Sequence, residues 1–270
     1  MPMEAVTIVH PEDRSYPFNR IYFDNPQILY HGSWSTYAKA IEAKGFVHGA
    51  LPFDWKDVAT VFEAHRAIGR GSYLPVFLGR NYPREEPPRD LSITGNFWFA
   101  RAYATDGGGE VLRKTIEEAI LFEEICAIPE KRAALEAHWQ KALQGQPNHP
   151  DTVAALRTLG DEQRLSRLFA EVKSVRERLS RLTNGGFPVV YAIRVQPEWF
   201  GDGWARYLSD WETSIRAHEL RCSGVLVQAD RIIARAEYPT GTDCDFRPTG
   251  FHNWEEYQKI WNSSRPERRS

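Results

Sequence analysis

At 270 residues, with 42% hydrophobic and 26% charged residues, the chain has the make-up of a globular protein able to bury one large core or two smaller ones. Its formal net charge of −2 excludes a global field drawing it onto nucleic acid or an anionic membrane, so any basic surface is local. Cys126, Cys222 and Cys244 lack any C-x-x-C spacing, which argues against a disulfide framework or a zinc site, and no run approaches the length of a membrane span; a reducing, cytoplasmic setting is expected.

Residues 1–26, rich in Pro, Asn and Asp, read as an irregular arm laid over the core. "QILYH" is a short apolar strand, and Ser33 or Ser35 is expected to cap the helix "TYAKAIEAKG", which stops at Gly45. "WKDVATVFEAHRAIG" has the apolar spacing of a second helix. "SYLPVFLG" reads as a strand and the proline-rich, charged "NYPREEPPRD" as a loop. "LSITGNFWFARAYA" is strand-like, with Gly95 as a bend or bulge.

From Glu110 to Leu143 the pattern is helical, with Pro129 starting a second segment. Asp151 is placed to cap further helices running to about Leu182, with a basic face interleaved by Glu162, Glu171 and Glu177. The period then turns from helical to alternating: "FPVVYAIRV", "HELRCSGVLV" and "RIIARAEYP" read as strands, and the aromatic loop "PEWFGDGWARYLSDW" joins the first two. A helix over "NWEEYQKIW" and a polar tail close the chain. The expected fold class is α+β: one domain over 1–270, with the arm at 1–26 and a helical insertion at 110–184.

Three stretches carry candidate chemistry: "LYHGS" early, "NFWFAR" in the middle and "HELRCSGVLVQADRII" late. In this order they resemble the three motifs of the ADP-ribosyltransferase superfamily, on its diphtheria-toxin and poly-ADP-ribose-polymerase side. The resemblance runs from about Leu29 to Ala234 and leaves out the arm and the helical insertion. It implies a split β-sheet core that binds NAD as a substrate without a metal, with His31, Gly32 and Ser33 as the first motif and Glu219 as the catalytic carboxylate. The residue chemistry agrees. Cleavage of the nicotinamide–ribose bond develops an oxocarbenium-like ribose that a carboxylate steadies. A strand-end histidine can hydrogen-bond a ribose hydroxyl, and a glycine lets a flat carboxamide reach the backbone. Glu237, beside "YP", is the competing glutamate and ranks below Glu219.

Two departures from the family pattern bear on the site. Trp98 stands where a tyrosine is usual; it can stack on nicotinamide, or face a partner element while Phe97 and Phe99 are core, and Tyr103 is the alternative stacking wall. Ala217 stands where arginine-modifying relatives place a second glutamate, so modification of protein arginine loses its usual signature. Trp204, Arg206, Tyr207, Trp211 and Arg216 could stack a base and clamp phosphates, or pack on the protein. The expected activity is therefore transfer of ADP-ribose from NAD to a macromolecular acceptor, with DNA or RNA favoured over protein. DarT-like bacterial toxins are the point of comparison, and a toxin role would bring a possible antitoxin as partner. The other readings are a protein-modifying transferase, an NAD glycohydrolase, an RNA 2′-phosphotransferase, or a non-catalytic binding module of the same fold.

Overall fold

The computed structural model describes residues 6–10, 16–47, 52–70, 90–104, 110–147, 149–213, 219–223 and 227–239. The expected strand "SYLPVFLG", the loop after it, the helix "NWEEYQKIW" and the polar tail lie outside these residues. The fold is α+β and divides into two compact units. One is made of Met1–Ala50, Pro88–Gly109 and Gly185–Ser270, the other of Leu51–Pro87 and Glu110–Asn184. No helix among the described residues is long and apolar enough to cross a membrane.

The first unit is built on a sheet of β1 (Thr7–Val9), β2 (Ile28–Trp34), β3 (Asp90–Thr94), β4 (Pro188–Arg194), β5 (Glu219–Ser223) and β6 (Ile232–Glu237), in the order β1-β6-β4-β2-β3-β5. β1 runs parallel to β6 and the remaining pairs are antiparallel. Alternation along the strands divides the core into two layers. Tyr30, Val190, Ala192, Ala234 and Ala236 face one side, and Leu29, Val189, Tyr191, Ile193 and Ile232 face the other. Because both sides are covered, β4 is buried everywhere except at Arg194 and reads as a continuous apolar run.

The described part of the N-terminal arm carries regular structure that its composition does not suggest. Residues 7–9 form an edge strand, and α1 (Arg20–Phe23) follows. Tyr16, Phe18 and Phe23 are buried against Tyr30, Phe97 and Trp98, and the Tyr16 and Tyr30 hydroxyls share a hydrogen bond of 2.5 Å. The aromatic residues anchor a segment whose Asn19, Arg20 and Asp24 stay exposed.

The expected strand "LSITGNFWFARAYA" is corrected. β3 ends at Thr94, and α4 (Phe97–Ala104) begins after two intervening residues. Asn96 makes the switch: its backbone N–H donates to Thr94 Oγ1, and its Oδ1 accepts from the N–H groups of Trp98 and Phe99 at 3.0 and 3.2 Å. This is a helix N-cap, which offers the first free N–H groups an acceptor. α4 then lies on β2 with its small residues down. A methyl group on Gly32 would sit 1.9 Å from the Ala100 carbonyl oxygen and 2.6 Å from the Ala104 nitrogen. Neither Ser33 nor Ser35 caps α2 (Ala38–Lys44), whose N-cap is Tyr37; Ser35 Oγ instead accepts from Phe187 N–H.

The second unit is helical: α3 (Trp55–Ala67), α5 (Glu110–Ala127), α6 (Pro129–Gly145), α7 (Pro150–Leu159) and α8 (Glu162–Thr183). The helices expected over 110–184 are thus joined by α3. Pro129 opens α6 at its first position, whereas α7 is capped by His149 with Asp151 inside its first turn. Leu165, Val172, Val175 and Leu179 of α8 recur at helical spacing and pack with Val61, Leu112 and Phe122. Two of its arginines pair within the unit, Arg176 with Glu123 and Arg178 with Asp57, both at 2.5 Å, and its Glu162 pairs with Arg132 at 2.8 Å.

Gly32→Ala tests the helix–strand contact. The clash is with backbone, which cannot rotate away, so a loss on the order of 3 kcal/mol is expected in denaturant unfolding. Gly145→Ala, where nothing lies within 4 Å of the new methyl, should leave the midpoint unchanged or slightly raised.

Candidate functional site

β2 fixes the site through the direction of its backbone groups. Val195 N–H donates to Gln27 C=O at 2.8 Å, and Ser35 N–H donates to Phe187 C=O at 2.9 Å, so the odd-numbered residues of this ladder spend their hydrogen bonds on β4. By the alternation of an antiparallel pair, Tyr30, Gly32 and Trp34 turn theirs toward β3. On that side one residue pair forms among the described residues, Tyr30 with Thr94.

Continued by two residues, the same register would set Gly32 opposite Ser92. Instead the Ser92 carbonyl accepts a hydrogen bond from His31 Nδ1 at 2.7 Å. The imidazole thus holds the carbonyl that would have received the Gly32 N–H, and β2 and β3 part at this point. By the same alternation Gly32 N–H and C=O face the β3 side, where the described residues form no strand pair with it.

A carbonyl only accepts, so Nδ1 of His31 carries the proton and Nε2 keeps its acceptor lone pair. Desolvation by the surrounding protein pushes the imidazole below its ordinary range, and the Ser92 carbonyl offsets this only in part. The neutral ring is therefore favoured at physiological pH. Phe46 packs edge-on to it, with ring centroids 4.8 Å apart. Ser33, two residues on, is half-buried on β2.

Glu219 opens β5. It pairs in register with Thr94, which pairs with Tyr30, so the glutamate is one row from His31 and two strands across. At the usual spacing of paired strands this is about 10 Å between the axes of β2 and β5. Only the backbone position of Glu219 is described. The competing Glu237 is nine-tenths buried, ion-paired to Arg235, and 3.3 Å from His10 Nδ1.

The aromatic candidates are redistributed. Trp98 is 2% exposed and enclosed by Tyr16, Phe23 and Phe97, so it is a core residue and offers no face for stacking nicotinamide. Tyr103, on the same helix, is 42% exposed. Of the proposed acceptor clamp, Tyr207 is corrected: it is 1% exposed, packed over Gly95 on α9 (Asp202–Thr213). Trp204 is half-buried, stacked on Phe200 with centroids 5.6 Å apart and packed against the core, while Arg206 is exposed. The amphipathic pattern of "WARYL" is that of a helix face turned to the sheet. The side chain of Trp211, and Arg216 altogether, lie outside the described residues.

Ser92, Phe46, Glu42 and Arg235 enter the site's surroundings without having been singled out from sequence. Only Arg235 left a trace there, as a lone charge between alanines on an apolar strand. Among the described residues no group of three or more His, Cys, Asp or Glu could hold a metal ion. Comparison with protein-family models, with curated proteins and with solved structures returned no match.

Replacing Trp98 and Tyr103 in turn separates core from surface. Trp98→Ala should lower stability by about 3–5 kcal/mol in denaturant unfolding. Tyr103→Ala should leave the midpoint within about 0.5 kcal/mol of wild type. Equal, small effects at both positions would contradict the burial of Trp98.

Proposed function

We propose that the protein is an NAD-dependent ADP-ribosyltransferase whose substrate lies across the gap between β2 and β3. The observation that carries this reading is the parting of these strands at Gly32, with His31 held beside it as a neutral acceptor. A nicotinamide carboxamide is flat and carries both N–H donors and a C=O acceptor. It matches the Gly32 C=O and N–H as a missing strand would. His31 Nε2 is suited to accept from a ribose hydroxyl, and Tyr103 is the aromatic left exposed for stacking. Glu219, two strands away, stands about one nucleoside from Gly32 and supplies the carboxylate. The narrow β2–β3 pairing also supports the finer fold reading, a split sheet of the ADP-ribosyltransferase type.

In the reaction the bond from ribose C1′ to nicotinamide nitrogen breaks, and nicotinamide leaves with the bonding electron pair as a neutral molecule. The oxocarbenium-like ribose is steadied by Glu219 until the acceptor donates its own pair to C1′ and releases a proton. The acceptor is proposed to be nucleic acid, with Arg206 and the partly exposed Trp204 as contacts and Tyr207 withdrawn. A cytoplasmic toxin held in check by an antitoxin is the setting this implies.

Incubation with NAD labelled in its adenylate half, followed by separation of DNA, RNA and protein, tests the reading. Label is expected in a nucleic-acid pool. Label confined to protein would reassign the acceptor, free ADP-ribose alone would indicate hydrolysis, and no release of nicotinamide would reject NAD chemistry. Glu219→Gln should bind NAD nearly as wild type and lose on the order of a hundredfold to a thousandfold in turnover, since its charge acts in the transition state. His31→Ala should chiefly weaken NAD binding.

A further inference from the structure

The sheet face that carries His31 also carries a buried ion cluster. In register, His31 of β2 is opposite Tyr191 of β4, which is opposite Arg235 of β6, so the three form one row across the sheet. The Arg235 side chain is 10% exposed, and its guanidinium pairs with Glu42 of α2 and with Glu237 further along β6. Tyr191 is fully buried, and its phenol is pushed well above the usual range by burial.

Such a cluster is costly to bury, and an apolar substitute often serves stability as well. Its value here is geometric. We propose that the Glu42–Arg235 pair is a positioning device for His31, clamping α2 onto the sheet so that Phe46 holds the imidazole against Ser92. The consequence for NAD rests on the function proposed above; the positioning itself does not.

α2 needs such a tie. It has seven residues, buries only Ala38 fully, and is too short to persist on its own. Ile41 packs partly on the core, and the Glu42 carboxylate ties the helix to Arg235 of the sheet. At its end Gly45 adopts φ 76°, a left-handed turn, with its N–H donating to Ile41 C=O at 2.7 Å. The turn delivers Phe46 to Val227, where Phe46 N–H donates to Val227 C=O at 2.8 Å and Val227 N–H donates back to Phe46 C=O at 3.3 Å. The Phe46 ring then touches both His31 and Tyr191, with centroids 4.8 and 5.6 Å away. Arg235, Glu42, α2, Gly45, Phe46 and His31 are thus one mechanical series. Releasing its first link lets the helix lift, wets the imidazole and frees it to rotate off the Ser92 carbonyl.

The test reads His31 directly in the full chain, without NAD, by imidazole ¹H–¹⁵N correlation with His31→Gln for assignment. Wild type should show the Nδ1–H tautomer and take up a proton only below its ordinary range. In Glu42→Gln, which keeps size and removes charge, His31 should become a tautomer mixture that titrates near its ordinary range, while the backbone amide spectrum stays folded. Arg235→Lys keeps the charge but loses the fork, and should give an intermediate shift. In the NAD arm, Glu42→Gln should raise the dissociation constant for NAD about tenfold with little change in turnover at saturation, since His31 binds rather than reacts. Wild-type His31 spectra in both variants would overturn the positioning role. Global unfolding of both would also overturn it, by showing the pair to be a support of the whole sheet. A shifted His31 spectrum in a protein that does not bind NAD would leave the positioning standing and overturn the NAD reading alone.

Discussion

The hydrogen bond from His31 Nδ1 to the Ser92 carbonyl is the contact on which the candidate site depends. It joins two strands and separates them in one act. The imidazole donates to the carbonyl that the antiparallel ladder would have set toward Gly32 N–H, and among the described residues the pairing that began at Tyr30 does not continue there. It also sets the tautomer, leaving the Nε2 lone pair as the group a ligand hydroxyl can meet. A sheet that paired through to Trp34 would have neither an open glycine nor an oriented acceptor.

Everything adjacent preserves that separation. On one face α4 approaches β2 so closely that only glycine fits at position 32, with Ala100 and Ala104 above it. The aromatic group of Tyr16, Phe18, Phe97 and Trp98 anchors the start of that helix. On the other face Phe46 closes against the imidazole, and Glu42 of α2 is ion-paired to Arg235 of β6. Gly32 is therefore constrained twice. The close approach of α4 requires it structurally, and the proposed carboxamide contact uses the backbone edge that the same residue presents. A small residue at the meeting of two layers can satisfy both demands because one involves its α-carbon and the other its amide.

Legibility from sequence followed how local the determining interaction is. The strands β2, β4 and β6 and the break at Pro129 rest on short-range alternation and on backbone geometry, and they were readable. His31 and Gly32 were singled out through a motif, yet the reason for their arrangement is Ser92, 61 residues away in sequence, which no local pattern names. The "NFWFAR" stretch misled because a run of aromatics suits a strand as well as a buried helix; Asn96 held the deciding signal, as a helix cap one residue before the run. For Tyr207 and Trp98 the sequence leaves ligand stacking and core packing open, since aromatic residues serve both, and both belong to the core. The interleaved charges of α8 were visible in sequence, but the pairing of Arg176 with Glu123 and of Arg178 with Asp57 depends on how the helices pack.

The most direct measurement is amide hydrogen exchange resolved to single residues of β2, with and without NAD. With its N–H turned into the gap, Gly32 should exchange markedly faster than His31 and Ser33, whose N–H groups belong to the β4 ladder. Adding NAD should slow Gly32 to the range of those neighbours while leaving them unchanged. Slow exchange at Gly32 in the free protein, unaltered by NAD, would contradict both the open edge and the ligand proposed to close it.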